Sequence, residues 1–278
     1  MKALMFGWEF PPHILGGLGT ASYGLTKGMS ECGNMDITFV IPKPWGDEDK
    51  SFAHIIGACN TPIAWRDVSW EQVRDRLGRY MDPQEYFNLR DHIYADFNYM
   101  HLNDLGCIEF SGRYPDNLLE EINNYSIVAG VIARTYPCDV IHSHDWLTYP
   151  AGIHAKQVTG KPLVIHVHAT DFDRSRGNVN PTVYAIEKDG MNQADHIITV
   201  SNLTRKTVIE KYNIDAPVVD AEAKRIYSSA AAGRFNIQLG SQDTVYKELD
   251  TDRVGGCIRD LQHAYSKDGG LAVLKGNI

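Results

Sequence analysis

The chain has 278 residues, of which 43% are hydrophobic and 22% charged, and its formal net charge is −8. This balance is typical of a globular protein with one large α/β domain or two small ones, and the negative charge argues against a general nucleic-acid-binding protein. No stretch reaches the roughly 18 apolar residues of a membrane span, and the N-terminus lacks the pattern of a signal peptide. We therefore predict a cytoplasmic protein with neither nucleic acid nor membrane as a partner.

The cysteines are scattered along the chain, and no two of them form a CxxC pair. Their spacing matches no metal site, so the sequence predicts free thiols in a reducing compartment. The five positions are Cys32, Cys59, Cys107, Cys138 and Cys257.

The first 42 residues predict a βαβ unit. An apolar run at residues 2–7 indicates a buried strand, and residues 20–32 have helical apolar spacing that stops at Gly33. A second apolar run, Asp36–Ile41, is closed by Pro42. Residues 43–110 are less regular and predict an insertion over the sheet edge or the cleft, with helices at 70–80 and 84–99.

From residue 117 onward, predicted helices and strands alternate. Strands are predicted at 139–142, 162–167 and 196–200, and helices at 117–134, Tyr149–Thr159, 181–192 and Asn202–Tyr212, the last with Ser201 as its N-cap. The alternation predicts an α/β fold, a Rossmann-like and mostly parallel sheet with helices on both faces. We expect one domain over residues 1–214 and a short irregular tail over 215–278, with a helix at 220–232 and a strand at 235–239.

Three segments that follow predicted strands carry glycine or polar residues, and ligands of open α/β sheets bind at the carboxyl ends of strands. In the first segment, residues 9–20, Gly16 and Gly17 stand where a helix begins. Backbone N–H groups exposed there suit a phosphate or a sugar oxygen. The spacing differs from the GxGxxG fingerprint, and glycines in tight β–α turns also serve purely structural needs.

The second segment, residues 142–147, reads His-Ser-His-Asp-Trp-Leu. Its side chains can hydrogen-bond to a sugar and stack on it. A metal site is a rival interpretation, because His142 and His144 face the same side of an extended segment, but no third ligand is evident nearby and we predict no metal. In a structural interpretation, Asp145 caps the next helix and His142 packs in the sheet.

The third segment covers residues 166–174. Strand alternation places His166 and His168 on one face, and a polar loop with Asp171 follows. A single histidine at such a position is commonly a core residue. Two strand ends with histidines beside a glycine loop favour a functional site.

These segments, in this order, resemble the N-terminal domain of GT-B fold retaining glycosyltransferases, in particular the glycogen and starch synthases. The resemblance covers residues 1 to about 214. It is carried by the start Phe6-Gly7-Trp8-Glu9-Phe10-Pro11-Pro12 with Gly16-Gly17-Leu18, by His142-Ser143-His144-Asp145-Trp146, by Val164-Ile165-His166-Val167-His168 and by Thr199-Val200-Ser201.

The resemblance implies transfer of glucose from ADP-glucose or UDP-glucose to an α-glucan, with retention of configuration and without a metal or other cofactor. It implies that His168 is the catalytic histidine, which contacts the transferred sugar and stabilises charge at its anomeric carbon. The resemblance further implies a donor-binding set and an acceptor or cleft set of residues. These are Gly16, Gly17 and Leu18 for the donor, and Asp145, Trp146, His144 and Asp171 for the acceptor side.

Two departures from the family pattern limit these expectations. Ile14 stands where many synthases have a lysine two residues before the glycine pair, which leaves the donor nucleotide open. After Ile214 we find no basic–acidic motif of a second Rossmann domain, so we expect that catalysis needs a partner C-terminal domain and that this chain alone is inactive. Residues 253–278 instead resemble an interior piece of a dihydroxy-acid dehydratase, through the run YSKDGGLAVLKGN at 265–277.

Two alternatives to a glycosyltransferase stay open. One is a non-catalytic glucan- or sugar-binding module, which would bind oligosaccharide without turning over nucleotide sugar. The other is a dehydratase-related lyase fragment, which only the tail supports. That class predicts dependence on an iron–sulfur cluster or Mg²⁺, and the cysteine spacing gives no sign of such a cluster.

Overall fold

A computed structural model of the protein describes residues 1–33, 35–63, 102–214 and 218–219. The helices predicted at 70–80, 84–99 and 220–232, the strand at 235–239 and the dehydratase-like run lie outside the described residues.

The centre of the fold is a parallel sheet. It contains seven strands in the order β3-β2-β1-β4-β5-β6-β7, and every pair of neighbours is parallel. The strands are β1 Lys2–Phe6, β2 Asp36–Ile41, β3 His54–Gly57, β4 Val140–His144, β5 Leu163–Val167, β6 His196–Thr199 and β7 Val218–Val219. The predicted α/β fold with a parallel sheet is therefore confirmed for the described residues.

Helices of the described residues lie on both faces of this sheet. Along β1, the side chains of Leu4 and Phe6 join one buried cluster with residues of α2, α3, α5 and α6, while Ala3 and Met5 join a second cluster with α1. This alternation is what a strand buried on both faces requires. The helices are α1 Gly17–Gly33, α2 Leu118–Thr135, α3 Tyr149–Thr159, α4 Asp171–Arg174, α5 Pro181–Gln193 and α6 Asn202–Tyr212, with a 3₁₀ turn at Ala58–Asn60.

Local chemistry explains the helix ends that were predicted to the residue. Helix α3 ends at Thr159 because Gly160 adopts the left-handed conformation with φ of 67°, and its N–H donates to the carbonyl of Lys156 at 2.8 Å. Helix α6 begins after Ser201, whose hydroxyl accepts the Thr204 N–H at 3.1 Å. The N-cap prediction for Ser201 is confirmed.

Several predicted boundaries differ from the structure by one residue, and α1 begins at Gly17 instead of residue 20. Two further differences concern the site and the extent of the sheet. Strand β4 continues to His144 instead of ending at 142, because the rings of His142 and His144 are buried in the sheet interior, where they stack on each other and His142 stacks on His166 of β5. Polar histidines therefore do not end this strand. The sheet also continues past residue 214, since Val218 and Val219 of β7 pair with β6.

Candidate functional site

The loop after β1 is organised by a buried carboxylate. Glu9 is 7% exposed, and its two carboxylate oxygens accept the backbone N–H groups of Leu15 at 2.9 Å and Gly19 at 3.3 Å. These contacts shape residues 9–19 into a compact turn that leads directly into α1. The loop after β1 thus places the N-terminus of α1 at the sheet edge where the carboxyl ends of β4 and β5 also lie.

Within this turn, the protein's own packing does not require that Gly16 and Gly17 be glycine. A Cβ built on Gly17 meets nothing within 4 Å, and one on Gly16 meets only Glu9 Oε1 at 3.8 Å. Both residues are exposed, and neither has a positive φ. By contrast, a Cβ on Gly19 would lie 2.4 Å from Ile14 Cγ2. The space beside Gly16 and Gly17 is open to solvent and lies at the N-terminus of α1, the positive end of the helix dipole.

The second and third predicted segments meet through Asp145. Its carboxylate Oδ1 accepts the backbone N–H of His168 at 2.8 Å and that of Ala169 at 3.4 Å. Its main chain has a left-handed φ of 60°, a conformation that non-glycine residues adopt rarely. Helix α3 instead begins after Thr148, which makes no side-chain cap hydrogen bond. The structural interpretation of Asp145 as a helix cap is therefore wrong, because its carboxylate is committed to the end of β5.

Histidines of β4 and of the end of β5 form a column, the histidine ladder, which consists of the buried His142, His144 and His166 and the half-buried His168 just after β5. The rings of His142 and His144 stack at 4.5 Å between centroids, those of His166 and His168 at 4.3 Å, and His144 Nδ1 lies 3.0 Å from His168 Nε2. Burial lowers the pKa of all four histidines below the ordinary value of 6.5, to about 3 for His166. The rings are therefore neutral at physiological pH.

The ladder also corrects the argument that no third metal ligand lies near His142 and His144. Nitrogen atoms of these two residues and of His166 all lie within 4.8 Å of one another. A histidine ligand binds a metal in its ring plane, through the lone pair of a nitrogen. Rings stacked at 17° and 13° to each other point their lone pairs side by side instead of towards one centre. This geometry favours packing over metal binding.

Arg174 links the Asp145 turn to helix α5. Its Nη2 donates to Asp145 Oδ2 at 2.8 Å, and its Nη1 donates to Glu187 Oε1 at 3.2 Å. Glu187 is 1% exposed, and its carboxylate also accepts the Asp171 N–H at 3.0 Å and the hydroxyl of Tyr212. Burial raises the pKa of Glu187 to about 7 despite these donors.

The remaining predicted site residues take different positions. Asp171 begins α4 and is buried, with its Oδ2 accepting the Asn180 N–H at 2.6 Å. Trp146 and Leu18 are half-buried and pack against the larger core cluster. His144 is fully buried beneath His168, so it does not line an open cleft, and we correct its expected position from cleft wall to support of His168.

Two site residues were missed by the sequence reasoning. Glu187 lies in the middle of a helix, where nothing in the local pattern separates it from a solvated glutamate. Tyr114 follows the insertion, and its hydroxyl lies beside the Glu9 carboxylate with Asp145 and Arg174 close by; burial, followed by these carboxylates, raises the pKa of Tyr114. Its ring is 42% exposed at the same sheet edge.

Comparison with known proteins identifies the family of this sheet and its loops. The family described as the starch synthase catalytic domain matches residues 2–216. The chain belongs to this family. The matched residues thus cover the whole described sheet except β7, together with the turn at Gly16 and Gly17, the turn at Asp145 and the histidine ladder. The fold is that of one half of a GT-B structure.

Solved structures match this starch synthase domain at low sequence identity. Sucrose-phosphate synthase from Thermosynechococcus elongatus matches with a TM-score of 0.50 and 12% identity over 79% of this chain and 47% of that chain. A lipopolysaccharide outer core galactosyltransferase in its apo form matches with a TM-score of 0.42 and 10% identity over 79% of this chain and 44% of that chain. The chain therefore spans about half the length of these proteins. Among its described residues, no helix has the length and apolar character to cross a membrane.

Proposed function

We propose that this chain carries the acceptor-side half of a retaining glucosyltransferase that transfers glucose from ADP-glucose or UDP-glucose to an α-glucan. The observation that supports it best is the hydrogen bond from the His168 N–H to Asp145 Oδ1 at 2.8 Å. This bond ties the turn after β4 to the end of β5, and both leave the sheet at the same edge as the turn at Gly16 and Gly17, because β1, β4 and β5 are parallel neighbours. The proposal assigns the catalytic histidine, the phosphate-accepting helix start and the acceptor wall to this edge.

In this proposal each predicted residue has a distinct role. His168 contacts the transferred sugar, and its neutral ring offers a dipole to the charge that develops at the anomeric carbon. Gly16 and Gly17 leave space for the donor at the start of α1, with Leu18 behind them. Trp146 and Asp171 contribute to the acceptor side. No metal or other cofactor takes part, so removal of divalent cations with a chelator leaves ligand binding unchanged.

The leaving diphosphate needs positive charge, which we assign to a second Rossmann domain that acts with residues 1–214. Stabilisation of such a charge is worth several kcal/mol in a preorganised site. Purified chain by itself is therefore expected to incorporate no labelled glucose from either donor into glycogen above background. Incorporation at the rate of a complete synthase would contradict this assignment.

Ligand-induced thermal stabilisation tests the acceptor role. A maltooligosaccharide at one hundred times its Kd contributes about 2.7 kcal/mol, which raises the melting temperature by several degrees in a protein of this size. Trp146→Ala should reduce this shift, because the half-buried indole offers the sugar an apolar face. A β-linked cellooligosaccharide of equal length is the control and should produce no shift. Equal shifts with both saccharides, or none with either, would contradict the α-glucan proposal.

A further inference from the structure

A buried chain of hydrogen bonds holds the main chain at the end of β5. Asp145 Oδ1 accepts the N–H groups of His168 and Ala169 at 2.8 and 3.4 Å. Asp145 Oδ2 accepts Arg174 Nη2 at 2.8 Å, and Arg174 Nη1 donates to Glu187 Oε1 at 3.2 Å. The position of the His168 backbone is therefore coupled, through one guanidinium, to a carboxylate on α5.

The far end of this chain is anchored to two further helices. The Glu187 side chain is 2% exposed, and its oxygens accept the Asp171 N–H at the start of α4 and the Tyr212 hydroxyl from α6. A carboxylate that accepts hydrogen bonds from donors on three sides has little freedom to move. It provides a fixed point against which Arg174 is held.

We propose that Arg174 and Glu187 are positioning residues for the active site, which hold the Asp145 carboxylate and through it the main chain of His168 and Ala169. The inference rests on the proposed function only in giving His168 the catalytic role. Asp145 is buried with a left-handed backbone, and such a conformation persists where surrounding contacts over-determine it. Loss of Arg174 leaves two buried carboxylates without their shared cation, which releases this constraint.

The charges around Glu187 provide a readout of this coupling. The groups that face it are Asp145 after β4, Asp171 and Arg174 of α4, Tyr149 of α3 and Tyr212 of α6. Burial raises the pKa of Glu187 to about 7 and lowers the pKa of the His144 and His168 rings well below 6.5. Burial also raises the pKa of the Asp145 carboxyl, so a titration near neutral pH that is sensed at the His168 amide is assigned to Glu187 only by its loss in Glu187→Gln.

Amide NMR signals of His168 and Ala169 in the ¹⁵N-labelled full chain test the proposal. In the native protein these signals shift with a midpoint near pH 7, and Glu187→Gln abolishes the shift while it keeps the side chain's size and an acceptor oxygen. In Arg174→Met, amide hydrogen exchange at His168 accelerates at least tenfold relative to the amides of β5. Arg174→Lys, which keeps the charge but lacks the fork that reaches both carboxylates, gives an intermediate acceleration.

Lys156→Met is the matched control. Lys156 is a half-buried cation of similar exposure, 32% against 34%, that pairs with Asp195 at 2.7 Å. Asp195 precedes β6, so this pair lies at the opposite edge of the sheet. Its loss should leave the relative exchange at His168 unchanged.

Either of two results overturns the proposal: a neutral-pH titration of His168 that persists in Glu187→Gln, or exchange at His168 that rises no more in Arg174→Met than in Lys156→Met. If the variants behave as expected while no saccharide or nucleotide sugar binds, the proposed function fails and the positioning contacts stand.

Discussion

At the scale of single residues, the start of α1 separates a structural glycine from glycines that leave open space. Gly19 is packed against Ile14 and Glu9, whereas an added methyl group at Gly17 would meet no atom of the protein within 4 Å. The sequence alone could not distinguish these two kinds of glycine, because both occur in the same four-residue run. The distinction makes the donor role of the turn testable with a single methyl group.

Gly17→Ala is expected to leave the melting temperature unchanged or to raise it, because alanine favours a helical position over glycine by up to about 1 kcal/mol. The same methyl group should weaken the perturbation of α1 amide signals by ADP-glucose or UDP-glucose. Gly19→Ala is the control and should destabilise the fold by about 1–3 kcal/mol through overpacking. Unchanged donor perturbation in Gly17→Ala would show that the open space at this turn does not serve the donor.

The role of Asp145 shows what local patterns leave out. Aspartate is a common N-cap residue, and the structural interpretation based on this short-range preference gave Asp145 the wrong partner. Its actual partners, His168 and Arg174, lie 23 and 29 residues further along the chain. The sequence analysis missed Glu187 and Tyr114 for the same reason, because only folding brings them close to Asp145.

At the scale of elements, β4 and β5 carry three residues of the histidine ladder, His142, His144 and His166, in the sheet interior, and the fourth, His168, follows β5 directly. Below pH 6.5 the unfolded chain binds protons on these imidazoles that the folded protein excludes. Their contribution to stability is therefore fully present above pH 6.5 and is lost as the pH falls towards the folded pKa values. Each ring contributes a slope of up to about 1.4 kcal/mol per pH unit.

Glu187 acts in the opposite direction. Its pKa is raised from 4.5 to about 7 on folding, so its contribution is present below pH 4.5 and is lost as the pH rises through 7. Asp145, whose pKa burial also raises, acts in the same direction as Glu187, and His196, whose pKa burial lowers, acts with the four histidines of the ladder. Two carboxyl groups therefore oppose five histidines, each with a slope of up to about 1.4 kcal/mol per pH unit. The free energy of unfolding should therefore fall on acidification below pH 6.5, as urea denaturation at a series of pH values will measure.

Replacement of one ladder residue tests this assignment. His166→Phe keeps an aromatic ring in the stack but removes one titrating group, so the slope below pH 6.5 should become shallower by about 1.4 kcal/mol per pH unit. His54→Phe is the control, because the His54 ring is exposed at the start of β3 and lies outside the ladder. An equal slope in the His166 variant and the native protein would contradict the ladder as the origin of the acid sensitivity.

The elements whose limits were predicted to the residue are those with a local stop or start signal. Strand β2 is followed by Pro42, α3 by the left-handed Gly160, and α6 is preceded by the Ser201 cap. Strand β4 had no such signal, and a prediction based on polarity ended it too early. Its histidines extend the strand because they pack against residues of β5. The sequence of β4 alone gives no information about these contacts.

At the scale of the whole molecule, the parallel order of the strands explains why the three predicted loops converge. Strands β1, β4 and β5 are neighbours with the same direction, so the loops after them must leave at one edge. This convergence followed from predicting alternating strands and helices, without knowledge of any contact. The contacts among Asp145, Arg174 and Glu187 could not be obtained in that way, because they depend on side-chain packing between elements.

The extent of the folding unit gives the final prediction. Strand β7 adds two residues to the exposed side of β6, with Ile197 paired to Val218 and Ile198 to Val219. A chain shortened to residues 1–219 should unfold cooperatively at a melting temperature within about 2 °C of the full chain, as circular dichroism will measure, if residues 1–219 form an independent domain. Shortening to residue 214 removes β7 and should lower the stability further, by about 1 kcal/mol for each backbone hydrogen bond lost. A 1–219 chain that loses cooperative unfolding would show that residues beyond 219 contribute to the same core, and the division predicted near residue 214 would then be wrong.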